Sequence, residues 1–248
     1  MQNSVEFVEK IWEDNQVLFK AMQMQIRAFY DAKPTMDKLR KNFIRRMVNE
    51  RMNLNEIMKS VVNSDLDTDP IELVSLCKQA LDEANHYRMV RDAIEYMTGE
   101  PLDLADVVPT ELADLTTKGA RVAERFNVEH DPIARGLYQM IVEGNASCNW
   151  QVMADNLTDP VLSFSYAKIA ADERFHAKLG RTHLAKILDT EEKQNYASEL
   201  ATKMRKDLFN LNCAGNIPIK ESREMIENHY GKEWITADFN TVALEEIY

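Results

Sequence analysis

Glycine and proline are scarce in this chain, with 7 of each among 248 residues, so breaks between elements should be few and the elements long. Cysteine is scarcer still. Cys77, Cys148 and Cys213 are odd in number, far apart and without a Cys-x-x-Cys pair, which argues against a disulfide framework and a cysteine zinc site and points to the reduced cytoplasm. Positive charge is in deficit: 30 Lys and Arg against 41 Asp and Glu give a net charge of -11, unsuited to a protein that neutralises nucleic-acid phosphates. The one local exception is the basic run Lys38, Arg40, Lys41, Arg45 and Arg46, read either as a solvated helix face or as a docking patch for an acidic protein. Long apolar runs are also missing. The first residues, MQNSVEFVEKIWEDNQ, carry acids throughout, so neither a secretory leader nor a membrane anchor is expected there.

What is present is a soluble, globular balance of 45% hydrophobic and 29% charged residues. Apolar residues recur at steps of three and four through nearly every segment, and no strand-like alternation is sustained. The expectation is an all-α protein of about eight helices in one domain over 1–248, with a core at about 36–188 and a helical extension at about 190–248. The helices are placed at about 4–31, 36–62, 70–98, 110–126, 132–156, 160–188, 190–211 and 220–230. Residues 99–109, with two prolines, are read as a non-helical lead, 213–218 as a turn, and the last residues as an apolar tail. Asp131-Pro132 and Asp159-Pro160 each supply a cap and a pre-set first helical turn.

Only two Asp-Glu dipeptides occur, Asp82-Glu83 and Asp172-Glu173, and each Glu is followed three residues later by a histidine, His86 and His176. With 5 His in the chain, chance gives both matches roughly 4 times in 10,000. Residues three apart share a helix face, so Glu83 with His86, and Glu173 with His176, can each grip one ion through an oxygen and a nitrogen. Two divalent ions with two carboxylates would leave excess positive charge in an apolar bundle, so further carboxylates should point inward.

Geometry locates them. The turn 156–160 is centred on residue 158, 15 residues before Glu173; the same step backward lands on Glu143. The turn 63–70 is likewise equidistant from Glu83 and Glu50. Glu56 competes for that position, but it shares a stripe with Asn53, Lys59, Ser60 and Asn63, whereas Glu50 lies with Phe43, Met47, Leu54, Ile57 and Val61. Glu143 lies with Leu137, Met140, Ser147, Trp150 and Ala154. A bare carboxylate on such a face would cost several kcal/mol, which a metal ion offsets. An isolated Glu-x-x-His is ordinarily a surface acid beside a core histidine; six residues in one register across four helices are another matter.

The segments LDEANH and ADERFH, with Glu50 and Glu143 at matching depth, resemble the ferritin-like superfamily of di-iron carboxylate oxidases and oxygenases, over roughly residues 40–185. The resemblance implies a four-helix bundle with added N- and C-terminal helices, two iron ions (manganese being the alternative) held by Glu50, Glu83, His86, Glu143, Glu173 and His176, and activation of dioxygen. It also implies that Asp82 orients His176 and Asp172 orients His86, as an acid does when it fixes an imidazole tautomer; the plain alternative is two solvent-facing acids.

Departures narrow the field. Large monooxygenase hydroxylases usually place Arg before the motif His, where this chain has Asn85 and Phe175. Rubrerythrins add a Cys-x-x-Cys site, and ferritins lack two full Glu-x-x-His motifs. The ribonucleotide reductase radical Tyr position is Val90 here, and the extra His of arylamine N-oxygenases is Ile169. His183, about 10 Å along the helix from His176, is too far to substitute and is read as a supporting or core residue.

Gly144 and Ser147, with Met47, are the expected lining of a dioxygen or substrate pocket; close helix packing at a small residue is the competing reading. Met47, Met52, Met89, Met140 and Met153 are read as core filler, not ligands. The expected activity is an oxygenase acting on a small organic substrate at a C-H, C=C or nitrogen centre. Acyl-CoA epoxidase components and compact N-oxidising enzymes are loose analogies. No flavin or nicotinamide fingerprint is visible, so electrons should come from a separate donor protein. The alternatives are dimanganese catalase- or peroxidase-like chemistry and a metal-storage bundle without turnover. Residues 190–248 are expected to form a lid or a homodimer contact.

Overall fold

A computed structural model describes residues 3–113, 120–215 and 219–236. The described residues form an all-α bundle: α1 (Ser4–Asp31), α2 (Met36–Val62), α3 (Pro70–Thr98), α4 (Leu104–Ala113), α5 (Ala120–Arg125), α6 (Pro132–Tyr138), a π-helical turn (Gln139–Glu143), α7 (Gly144–Asn156), α8 (Pro160–Ile187), α9 (Glu191–Gly215), α10 (Lys220–Tyr230) and a 3-10 turn (Lys232–Trp234). None of the described helices is long and apolar enough to cross a membrane.

The chain divides into two compact units, 34–131 and 1–33 with 132–248. In the first, α2 and α3 fold back on each other, and α4 and α5 pack on α2. The ends are chemically marked. Thr35 caps α2 by accepting a hydrogen bond from the Lys38 amide, and Asp69 caps α3 by accepting from the Ile71 amide at 2.9 Å, with Pro70 in the first turn. Gly99, at φ +74°, closes α3 in the left-handed conformation that costs glycine least. Phe43, Met47 and Ile57 of α2 and Leu76, Val90 and Ile94 of α3 are buried, at steps that keep them on one face of each helix.

One boundary differs from expectation: helix resumes at Leu104, not near 110. Asp103 accepts from the amides of Ala105 at 3.0 Å and Asp106 at 3.3 Å, a cap that starts α4 early enough for Pro109 to lie inside it. The expected continuity to 126 crosses 114–119, which lie outside the described residues.

In the second unit, α1 runs beside α7, α8, α9 and α10, and the rod from α6 to α7 packs along α8. Asn3 caps α1, and Asp159 caps α8 by accepting from Val161 and Leu162 at 2.8 and 3.1 Å. Hydroxyls tie helices together: the buried Ser222 of α10 donates to the Ala21 carbonyl at 2.8 Å while accepting from Gln25, and the half-buried Ser163 donates to the Ala154 carbonyl. Helix α9 continues past the expected stop at Leu211 to Gly215, so Cys213 belongs to a helix; 216–218 and the apolar tail from 237 lie outside the described residues.

Candidate functional site

In the first unit, Glu50 of α2 and Glu83 and His86 of α3 are buried, none more than 3% exposed. The helical step of three places Glu83 and His86 on one face of α3, and the α2/α3 hairpin brings Glu50 to them. Their ligand atoms lie within 4.8 Å of one another. His86 turns its Nδ1 toward the acids, 3.3 Å from Glu50 Oε2 and 3.9 Å from Glu83 Oε2. Nδ1 is therefore the ring nitrogen turned toward the two carboxylates.

Glu56, the competitor, is engaged elsewhere. It accepts from Lys59 Nζ at 2.7 Å, and that hydrogen bond is the main reason the Lys59 ammonium is held above its ordinary pKa. Its stripe is not wholly exposed, however: Asn53 and Ser60 are buried, the latter donating to the Glu56 carbonyl.

In the second unit, Glu143, Glu173 and His176 are all 0% exposed, with ligand atoms within 4.8 Å of one another. His176 again presents Nδ1, 3.0 Å from Glu173 Oε2. The two triads share one composition, two carboxylates and an imidazole. This oxygen and nitrogen donor set suits iron, manganese or zinc better than a thiophilic ion. The described residues thus contain buried acidic and histidine groups positioned to hold metal.

Glu143 is the last residue of the π turn, a local widening of the helix that the apolar periodicity does not announce. Gly180, one turn after His176, lies against this segment. A Cβ there would meet the Gly136 carbonyl at 2.5 Å and the Met140 nitrogen at 2.9 Å, so only glycine lets α8 approach the π backbone this closely. The glycine was a visible signal in the sequence; its opposing backbone was not.

Asp82 and Asp172 share a device that the motif reading missed. Lys78 Nζ donates to Asp82 at 2.5 Å, and Lys168 Nζ donates to both oxygens of Asp172. Each lysine stands one turn before its acid, and the signal was in plain view: KQALDEANH and KIAADERFH repeat Lys, Ala, Asp, Glu and His in register.

Two of the residues expected to line a pocket make packing contacts. A Cβ on Gly144 would meet the rings of Phe19 and Trp12 at 3.0 and 3.1 Å, so α1 fills the space beside it. The buried Ser147 hydroxyl donates to the Ala170 carbonyl at 3.0 Å, fastening α7 to α8. Close packing explains both small residues. Met47, Met140 and Met153 are fully buried, whereas Met52 and Met89 are half-buried. His183 places Nε2 3.2 Å from the Pro132 carbonyl, at the α6 end of α8. In the basic run, Arg45 pairs with Glu111 and Arg46 donates to Asn42.

Compared with family models, curated proteins and solved structures, the chain matches none of them. The described residues define an all-helical protein with two buried carboxylate-histidine triads.

Proposed function

We propose that each triad holds a divalent ion, iron in the working protein, and that the protein oxidises a small organic substrate with dioxygen and electrons from a separate donor protein. The observation that carries this reading is the repetition of one buried Glu, Glu, His set in two helix pairs. Four carboxylates match the charge of two divalent ions, so the loaded set is neutral, whereas the bare acids bear the cost of burial. When bound, such a pair supplies the reduction of dioxygen. The protein's own part is to present Glu50, Glu83, Glu143 and Glu173 as anionic oxygens and His86 and His176 through Nδ1. Asp82 and Asp172, steadied by Lys78 and Lys168, lie beside the ligands as candidates to orient an imidazole. The apolar side chains around the triads keep water from the acids.

Elemental analysis of the aerobically purified protein, and after anaerobic loading with Fe(II) or Mn(II), tests the centre, with Glu143→Ala alongside. Two ions per chain, lost or halved in the variant, support it; no stoichiometric metal under any of these conditions overturns it. Oxygen uptake by the iron-loaded protein then tests the chemistry. Uptake that needs both a reductant and an organic substrate supports an oxygenase. Disproportionation of hydrogen peroxide without substrate, or accumulation of iron far beyond two per chain, overturns that reading in favour of catalase-like or storage activity.

A further inference from the structure

On the flank of α8, a groove of about 600 Å³ opens between that helix and α1. Its position on the helix separates it from the triad. Residues 174, 178 and 181 follow a stripe more than 100° around α8 from the face shared by Glu173, His176 and Gly180, at 100° per residue. Val5, Val8, Trp12 and Ala177 supply an apolar wall. Arg174, Lys178, Arg181 and Lys186 supply four cations, and Glu9 is the one acid among the lining residues. A local excess of positive charge on a chain of net charge -11 identifies the sign of what the groove takes.

The cations are not equivalent. Arg181 is committed: it donates to both oxygens of Glu9 at 2.6 Å, and its guanidinium lies 4.8 Å from the Trp12 ring centroid. That pair pins Trp12, whose ring also meets Phe19 in a T-shaped contact with centroids 5.6 Å apart. The indole is thus held rigid as part of the wall. Arg174 and Lys178 make no ion pair among the described residues, and they stand one turn apart, where like charges repel. An anionic head between them removes that repulsion, while an apolar body of a few carbons or one ring covers Trp12 and the exposed Val5. The volume lies within the usual range for an organic ligand.

We infer that this groove is a binding site for an amphipathic organic anion, a phosphate or comparable dianionic head joined to an aromatic or acyl body, separate from the metal-binding acids. The ligand is either a free metabolite or the exposed head and upper chain of a lipid, since both offer the same chemistry. The inference does not depend on metal occupancy.

Calorimetric titration of the full-length protein with 2-naphthyl phosphate tests it. The expected result is one saturable site per chain, with inorganic phosphate alone and 2-naphthol alone each binding about tenfold more weakly or worse, because head and body contribute together. Arg174→Gln with Lys178→Glu, and separately Trp12→Leu, should each weaken binding about tenfold or more. Lys203→Glu on α9 and Glu83→Gln should leave it unchanged. Circular dichroism of every variant, matched to the parent, shows that the fold is intact. Cosedimentation with vesicles containing phosphatidic acid, a phosphomonoester lipid, sensitive to the same groove variants, assigns the lipid source; naphthyl phosphate binding without cosedimentation assigns the free ligand. Absence of saturable binding, equal affinity for 2-naphthol, indifference to the groove variants, or loss of binding in Glu83→Gln would overturn the inference. Binding of polyglutamate in place of naphthyl phosphate would also overturn it and give the face to an acidic protein partner.

Discussion

His86 and Glu50 come from different helices, yet the imidazole Nδ1 of one stands 3.3 Å from the carboxylate Oε2 of the other, with both side chains almost fully buried. Glu83 adds a second buried carboxylate from the same face as His86. Two acids brought this close in an apolar interior destabilise the metal-free fold, and a bound cation reverses the sign of that contribution.

Glu83→Gln should therefore make the metal-free protein more stable and the metal-loaded protein less so. The expected gain without metal is about 1–3 kcal/mol in urea unfolding. Added Fe(II) or Mn(II) should raise the stability of the parent by about 2.7 kcal/mol for each ion bound at a hundredfold excess over Kd, and that of the variant by much less. A variant that is destabilised with and without metal would show Glu83 to be a structural hydrogen-bonding residue.

The contact of Gly180 with the π turn gives a second test. A methyl group there would sit 2.5 Å from the Gly136 carbonyl and 2.7 Å from Gln139 Cβ, and backbone cannot rotate out of the way as a side chain can. Gly180→Ala should cost about 1–3 kcal/mol by overpacking. It should also lower metal content, because pushing α8 from the π turn moves Glu173 and His176 away from Glu143. Thermal melting and elemental analysis on one preparation check both effects. Loss of stability with full metal retention would show that the π turn does not set ligand geometry.

Much of this arrangement was legible in the sequence because it is written in local chemistry. Pro70 and Gly99 bracket α3, Pro160 opens α8, and the Glu-x-x-His step places two members of each triad on one helix face without tertiary information. Counting back from the hairpin turn reached Glu143 because the π turn lies on the far side of that residue, so the extra backbone never entered the count. What was hidden depends on contacts between distant segments. The ring of Phe19, 125 residues before Gly144, occupies the space that the small residue alone suggested was open. The early start of α4 is itself a local signal: Asp103 caps the helix, and Pro109 is accommodated inside it.

The cysteines divide by environment. Cys77 is exposed on α3, whereas burial pushes the Cys148 thiol on α7 above its ordinary pKa. Only the thiolate reacts readily, so a raised pKa lowers the reactive fraction at any pH below it, and burial also limits access. In a Cys213→Ser background, iodoacetamide at pH 8 should modify Cys77 well before Cys148, with the gap narrowing toward pH 10. Peptide mass analysis over time reads the order; equal rates at pH 8 would contradict the packing of α7.

Tyr230 supplies a pH-dependent tie between α10 and α1. Its hydroxyl donates to the Asp14 carbonyl at 2.6 Å, and its ring stacks on Trp234 with centroids 3.9 Å apart. Burial is the main cause that raises its pKa above the ordinary tyrosine value of about 10, because desolvation penalises the phenolate. For an acid raised in the folded state, the neutral form is the one the fold favours. Its stabilising contribution is therefore complete below about pH 10 and declines as pH rises through the folded value. Tyr230→Phe keeps the ring but not the donor, and below pH 9 it should cost about 0.5–1.5 kcal/mol, the net worth of one hydrogen bond. Above pH 10 the gap between parent and variant should close. Paired urea titrations from pH 7 to 11 measure that gap directly. A gap that stays constant with pH would mean that the phenol does not hold α10 to the Asp14 carbonyl.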